Sequence, residues 1–251
     1  MKTDRRELNI ISLLESRGEM SINSLSQILG VSLSTLRKQL AVMQKKGLVI
    51  RTYGGVMPVN RVPDETFDSK LYKNVAEKRA IATAARKIFG NAESVSLGSG
   101  TTVYEFSNLL TDVPHGLVYT NSMQAADLLA RCAGLEVHIC GGVIRSHTGT
   151  IIGNEAAAYF KQLKDVEYAF IGCDAIDSRG EIYSENMAVS LVEKTILMNA
   201  KHKYILCDSS KLGKTAVALI ANLKDCDGII TGNTQSSITR NFVYLTNVIY
   251  A

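Results

Sequence analysis

Two groups of residues in this 251-residue chain have the types and spacing to hold negatively charged partners, and they lie far apart in sequence. The first places Ser32, Ser34, Thr35, Arg37 and Lys38 among Leu33, Leu36 and Leu40. Long cations suit phosphate oxygens and short hydroxyls suit base edges, so a helix presenting both fits a DNA duplex. The second is a series of polar clusters that each end a short apolar run. They are Gly98-Ser99-Gly100-Thr101-Thr102, Thr120-Asn121-Ser122, Gly141-Gly142, Gly172-Cys173-Asp174 and Asp208-Ser209-Ser210-Lys211. Glycines with hydroxyls ahead of a helix suit an oxyanion, and a lysine nearby adds charge.

The elements that must position the first group follow from capping and periodicity. Ser21 is placed to cap a helix with Ile22, Leu25, Ile28 and Leu29 on one face, stopped by Gly30. Ser32 caps a second helix, with Leu33, Leu36, Leu40 and Met43 inside and Ser34, Thr35, Arg37, Lys38, Gln39 and Lys45 pointing elsewhere. Two helices about a glycine turn form a helix-turn-helix. Beyond Gly47, Leu48-Val49-Ile50 reads as a strand, Arg51-Thr52-Tyr53 as its polar end and Gly54-Gly55 as a hairpin turn, which makes a wing. Arg51 and Tyr53 thereby join the candidate DNA contacts. An earlier helix, with Leu8, Ile11 and Leu14 inward, supports the pair. An ordinary helical hairpin with solvated charges fits the same pattern.

Charge separates the chain into parts. Residues 1–57 hold nine Lys and Arg against four Asp and Glu, whereas residues 58–251 hold nineteen against twenty. The positive charge is in the head, as a nucleic-acid partner requires. Two of the three prolines, Pro58 and Pro63, fall in residues 58–76, which are expected to connect a DNA-binding domain of residues 1–57 to an α/β domain of residues 77–251. Five cysteines without a Cys-x-x-Cys pair read as reduced thiols, and the four histidines lack metal-ligand spacing, so neither a metal nor a cofactor is expected. The charged first residues exclude a signal peptide and no apolar run is long enough to cross a bilayer, so the expectation is a cytoplasmic protein without a membrane partner.

In the larger domain, apolar runs end at Leu97, Tyr119, Cys140, Ile171, Cys207 and Ile230, mostly separated by helical patterns. This predicts a mainly parallel sheet covered on both faces, with its ligand beyond the carboxyl ends of the strands. Residues 98–102 fit a phosphate, and equally a glycine turn with a threonine cap. Lys211 is a phosphate cation or a surface lysine. Asn121 and Ser122 suit sugar hydroxyls or helix caps. Gly141 and Gly142, with Arg145, form a further wall.

Two stretches, residues 31–40 and residues 47–56, resemble the winged helix-turn-helix of DeoR-type bacterial transcriptional regulators. Ser99-Gly100-Thr101-Thr102, Thr120-Asn121-Ser122, Gly141-Gly142, Ala169-Phe170-Ile171-Gly172 and Asp208-Ser209-Ser210-Lys211 resemble their sensor domain, so the likeness covers nearly the whole chain. It implies a winged helix joined to a Rossmann-like α/β sensor domain. It also implies a homo-oligomeric repressor that binds double-stranded operator DNA, controls carbohydrate catabolism and answers to a phosphorylated sugar. Departures from the family pattern stand at Gln39, Gly98 and Gly232, where acidic residues are usual. The sensor half is also similar to ribose phosphate isomerases, which makes a sugar phosphate isomerase with a DNA-binding head the competing reading. Those enzymes carry a carboxylate where Ile171 stands and a lysine within a stretch that has none here, Gly180 to Glu193, so the catalytic set is incomplete. Asp174 and Glu193 match their remaining carboxylates and are candidates for ligand hydroxyls, or for capping.

Overall fold

Serine caps and a left-handed glycine set the geometry of the amino-terminal unit. The computed structural model describes residues 6–7, 9–11, 13–14, 20–46, 48–51, 55–58, 66–232 and 237–251. The chain divides into two compact units, Met1–Asp64 and Glu65–Ala251. In the first, strand β1 (Met20–Ser21) leads into helix α1 (Ile22–Leu29), where Ser21 Oγ accepts from the Ser24 amide at 3.0 Å. Gly30 ends α1 at φ +62°, a conformation that costs glycine least. Ser32 Oγ then accepts from the Thr35 amide and starts α2 (Leu33–Lys45).

Strands β2 (Val49–Arg51) and β3 (Gly55–Pro58) pair antiparallel, Arg51 opposite Val56, and β1 adds to β3. Leu25, Leu36, Leu40, Met43, Val49 and Val56 close the core with the helical residues Ile10 and Leu14. This is the winged helix-turn-helix that the caps and periodicity predict. Several details differ. Ile28 and Leu33, expected inside, are 47 % and 38 % exposed, and Ile11 is only partly buried, while Gln39, expected outside, is buried on the shoulder of the inner face between Leu36 and Met43.

The second unit opens with α3 (Phe67–Leu71) and α4 (Val75–Phe89), so residues 66–76 of the expected connector are part of this unit. Then follow β4 (Ser94–Leu97), α5 (Thr101–Asn108), β5 (Gly116–Thr120), α6 (Met123–Leu129), β6 (Leu135–Ile139), β7 (Val143–Arg145), β8 (Thr150–Ile152) and α7 (Asn154–Gln162). The chain continues through β9 (Val166–Ile171), β10 (Ala175–Ile176), β11 (Glu181–Ser184), α8 (Met187–Met198), β12 (Ala200–Leu206), β13 (Ala218–Asn222), β14 (Gly228–Thr231), α9 (Ser237–Phe242) and β15 (Asn247–Tyr250). Seven strands form one sheet in the order β15-β14-β12-β9-β4-β5-β6, with every neighbouring pair parallel.

Alternation along the central strands fills both faces. Ala169, Ile171 and Ile205 pack with Phe160, Val192 and Ile196 on one side, while Phe170, Leu206 and Val95 pack with Ile81, Phe89 and Phe106 on the other. A sheet of this kind sends all its carboxyl ends to a single edge, and the predicted polar clusters lie there.

Phe170 is fully buried, with Phe106 at 4.6 Å and Tyr204 at 5.5 Å between ring centroids. Phe170→Ala should cost about 3–5 kcal/mol, read as a lower urea midpoint for the second unit. An unchanged midpoint would remove β9 from the centre of the core.

Candidate functional site

On α2 the hydroxyls of Ser32, Ser34 and Thr35 form a linked group, with Ser32 Oγ 3.1 Å from Ser34 Oγ and 2.8 Å from Thr35 Oγ1. All three are exposed, as are Arg37, Lys38 and Arg51. The buried leucines on the opposite side fix the orientation of this face. Its polar groups therefore present an unblocked row of donors and cations, which a phosphate backbone and base edges require. Tyr53 lies outside the described residues.

At the strand ends of the second unit, Glu193 and Ser99 meet directly. The Ser99 amide donates to Glu193 Oε1 at 2.9 Å and the Ser99 hydroxyl to the same oxygen at 3.1 Å. Glu193 rides on the inner face of α8 and is 2 % exposed. Its carboxylate settles over Gly98, where a Cβ would collide with Oε2. Asn121, fully buried, donates through Nδ2 to the Ile151 carbonyl at 3.4 Å. Gly172 passes close to the Ser99 carbonyl, which joins the loops after β4 and β9.

Beyond Gly172, Asp174 is a fully engaged acceptor. Lys70 Nζ donates to Oδ1 at 3.3 Å, and the Ser184 hydroxyl and Glu185 amide donate to Oδ2 at 3.1 and 2.9 Å. Burial acts to raise its pKa, but Lys70 and the Glu185 amide outweigh burial and hold it below the usual carboxylate range. Lys211 donates to the Cys173 carbonyl at 2.7 Å and lies 3.8 Å from Asp208. Burial disfavours its charge, yet Cys173 and Cys207, then Asp208 and Asp174, leave its pKa above the ordinary lysine value.

Helix α5 begins at Gly100 without a side-chain cap, at φ +105° and with open space around the Cα. Thr101 and Thr102 are buried in its first turn. That helix start leaves its first amides without a side-chain cap. By contrast, Ser122 spends its hydroxyl as the cap of α6, accepting from the Ala125 amide at 3.3 Å. Gly141 and Gly142 are exposed ahead of the β7–β8 hairpin, where the backbone at Gly142 passes too close to the Ile152 carbonyl for a side chain. The structure thus brings together Ser99, Asn121, Asp174, Glu193 and Lys211 with residues 100–102.

Sequence reasoning missed four groups that reach the same edge from α3 and α4. Besides Lys70, Asn74 Nδ2 donates to Asp208 Oδ1 at 3.0 Å. Glu77 accepts from the Ser209 amide at 2.6 Å and hydroxyl at 3.1 Å, and it sits over Gly232 as Glu193 sits over Gly98. Lys78, 2 % exposed, donates to the Lys70 carbonyl; burial, then Lys211, lowers its pKa. A signal was present for Lys78, since it falls on the inner stripe of α4 with Ile81, Ala82, Ala85 and Phe89.

Among the described residues no group of three or more His, Cys, Asp and Glu is placed to hold a metal ion. No helix among them is long and apolar enough to cross a membrane. The five cysteines are free, four of them buried.

Family comparison agrees with both halves. Residues 6–62 match the DeoR-like helix-turn-helix domain and residues 73–233 the DeoR C-terminal sensor domain. The chain is 28 % identical over 226 residues to the HTH-type transcriptional repressor CsqR of Escherichia coli, covering 90 % of this chain and 86 % of that one. The transcriptional regulator GlpR of Haloferax volcanii is 28 % identical, with 94 % and 92 % covered. The glycerol-3-phosphate regulon repressor of Haemophilus influenzae is 27 % identical, with 95 % and 92 % covered.

Glu193 offers a stability test. Burial, against the Ser99 hydrogen bonds, raises its carboxyl from 4.5 to about 7. The folded chain therefore holds this proton more tightly than the unfolded one. The resulting stability is complete below pH 4.5 and lost as pH rises through about 7. Urea unfolding should show a decline of about 3 kcal/mol across that window, absent in Glu193→Gln. An equal decline in the variant would assign the proton elsewhere.

Proposed function

The chain belongs to the DeoR family of transcriptional regulators, and we propose that it represses a carbohydrate catabolism operon under the control of a phosphorylated sugar. The observation that carries the ligand half is the uncapped start of α5 at residues 100–102, placed among Lys211, Asp174, Glu193 and Asn121. Free amides and threonine hydroxyls serve the phosphoryl group, Lys211 neutralises it, and the carboxylates and Asn121 take the sugar hydroxyls.

In this reading the first unit, which holds residues 1–57, grips DNA, and the second, which holds residues 77–251 and the α3 part of the expected connector, senses the ligand. A dimer or larger homo-oligomer sets two copies of α2 into major grooves about one helical turn apart, ~34 Å, or a multiple of it. Arg37, Lys38 and Arg51 bind phosphates, while Ser32, Ser34 and Thr35 position and read the bases. The ligand's signal starts at α3. That helix has no buried residue, and it is fastened to the second unit by polar and ring contacts. Lys70 bridges to Asp174, the Phe67 amide bonds the His147 carbonyl at 2.9 Å, and the Phe67 ring stands edge-on to Tyr104 at 5.3 Å. A phosphoryl group that draws Lys70 from Asp174 loosens the first element after the unit boundary. Regulation rather than turnover is supported by Ile171, a buried aliphatic residue with no acid or base to offer a substrate carbon.

Arg37→Ala and Lys38→Ala should each weaken operator binding and lower its salt slope by about one unit, measured by fluorescence anisotropy at several salt concentrations. Unchanged slopes would move recognition off α2. Thr101→Ala combined with Lys211→Ala should abolish the thermal shift produced by sugar phosphates while preserving operator binding. A retained shift would refute the cleft assignment.

A further inference from the structure

Strand β6 is one edge of the seven-stranded sheet, and among the described strands it pairs only with β5. The Gly116 amide donates to the Gly134 carbonyl and the Cys140 amide to the Thr120 carbonyl, each at 3.1 Å. Backbone groups alternate in direction along a strand, so those of Glu136 and His138 also face β5, while those of Leu135, Val137 and Ile139 face away from the sheet. The Leu135 amide is used by the Cys132 carbonyl, and the rest of that outer row has no strand beside it. Folded chains usually blunt such an edge with proline, lysine or a bulge. Strand β6, Leu-Glu-Val-His-Ile, has none of these and runs in unbroken register with β5. Ile139 and Glu136 are exposed, and the Glu136 carboxylate lies 2.8 Å from His138 Nε2.

We propose that two copies of this chain associate through β6, by antiparallel pairing about a twofold axis at Val137 that runs one sheet through both. The strand is complementary to itself in that register. Glu136 of one copy lies opposite His138 of the other, Leu135 lies opposite Ile139, and the axis repeats each pair. Glu136 and His138 take the non-hydrogen-bonded sites, where facing side chains approach most closely, while Val137 and Ile139 supply outward amides to Val137 and Leu135 of the other copy. Moving the axis to Glu136 or to His138 sets like groups face to face, so charge selects the register. The opposite edge of the sheet, β15, has no charged residue and no such selection. The inference gives a surface to the homo-oligomer proposed above and rests on that part of the reading.

Sedimentation equilibrium of the full chain over a concentration series tests the pairing, with circular dichroism to confirm that each variant is folded. The wild type should form a dimer or a larger even-numbered assembly. Glu136→Lys changes an exposed side chain, leaves the core untouched and sets a cation against His138 of the other copy. His138→Glu sets acid against acid. Each should raise the dissociation constant of the pairing by about tenfold or more. The double variant, Glu136→Lys with His138→Glu, restores opposite charges in the same register and should return the constant to within about threefold of the wild type. If the wild type associates and the single variants associate as tightly, or the double variant stays as weak as the singles, the β6 assignment fails and the homo-oligomer reading stands. If the wild type is a monomer at every concentration, both fail together.

Discussion

The carboxylate of Glu193, gripped by both donors of Ser99 and seated on the bare Cα of Gly98, meets a demand that the sheet itself creates. Parallel strands joined by crossover helices all finish at one edge, and the turns there expose amides and hydroxyls that the ladder does not satisfy. Helix α8 answers the turn after β4 with Glu193, and α4 answers the turn after β12 with Glu77, which takes the amide and hydroxyl of Ser209 and lies over Gly232. The two glycines and the two carboxylates are complementary parts of one design. At Gly98 and Gly232 alike, the missing side chain is matched by an acidic group arriving from a helix.

That design concentrates charge where water is scarce. Asp174 and Asp208 keep their pKa values low through lysines and backbone donors, Lys211 keeps its proton, and Lys78 is held near both Lys70 and Lys211. A buried ionic network is weak evidence for stability, because the desolvation of each member offsets much of the attraction. Its value lies in position. Lys70 and Asp174 join α3 to the strand edge, so an anion arriving at that edge competes with a bond that holds the first helix of the second unit in place.

Much of this was legible in the residues. Ser21, Gly30 and Ser32 carry their caps in their own side chains or backbone freedom, and six strands stood out as apolar runs ending in polar clusters. Strand β15 did not, since residues 247–250 border the sheet with only partial burial. The small antiparallel sheet of β10, β11 and β13 was missed because two to five residues give too short a pattern for an alternation to register. Gln39 and Leu33 exchanged places because both sit on the margin of the apolar stripe, where tertiary packing decides. In the first helix the burial falls on Ile10 and Leu14 rather than on a face through Ile11, which is only partly buried; Leu8 lies outside the described residues. Lys70, Asn74 and Glu77 left no local trace. Their roles depend on Asp174, Asp208 and Ser209, more than a hundred residues away in sequence.

Linkage gives the most direct test of the proposal that the charged edge binds a metabolite and the exposed helix binds DNA. Calorimetry should compare the affinity of a sugar phosphate for the free protein with its affinity for the protein–operator complex. The two values should differ by the same factor by which that sugar phosphate changes operator affinity, and for a repressor relieved by its ligand the complex should bind it more weakly. Equal affinities with a saturating, cleft-bound sugar phosphate would contradict the account, because the two activities would then share a chain without sharing free energy.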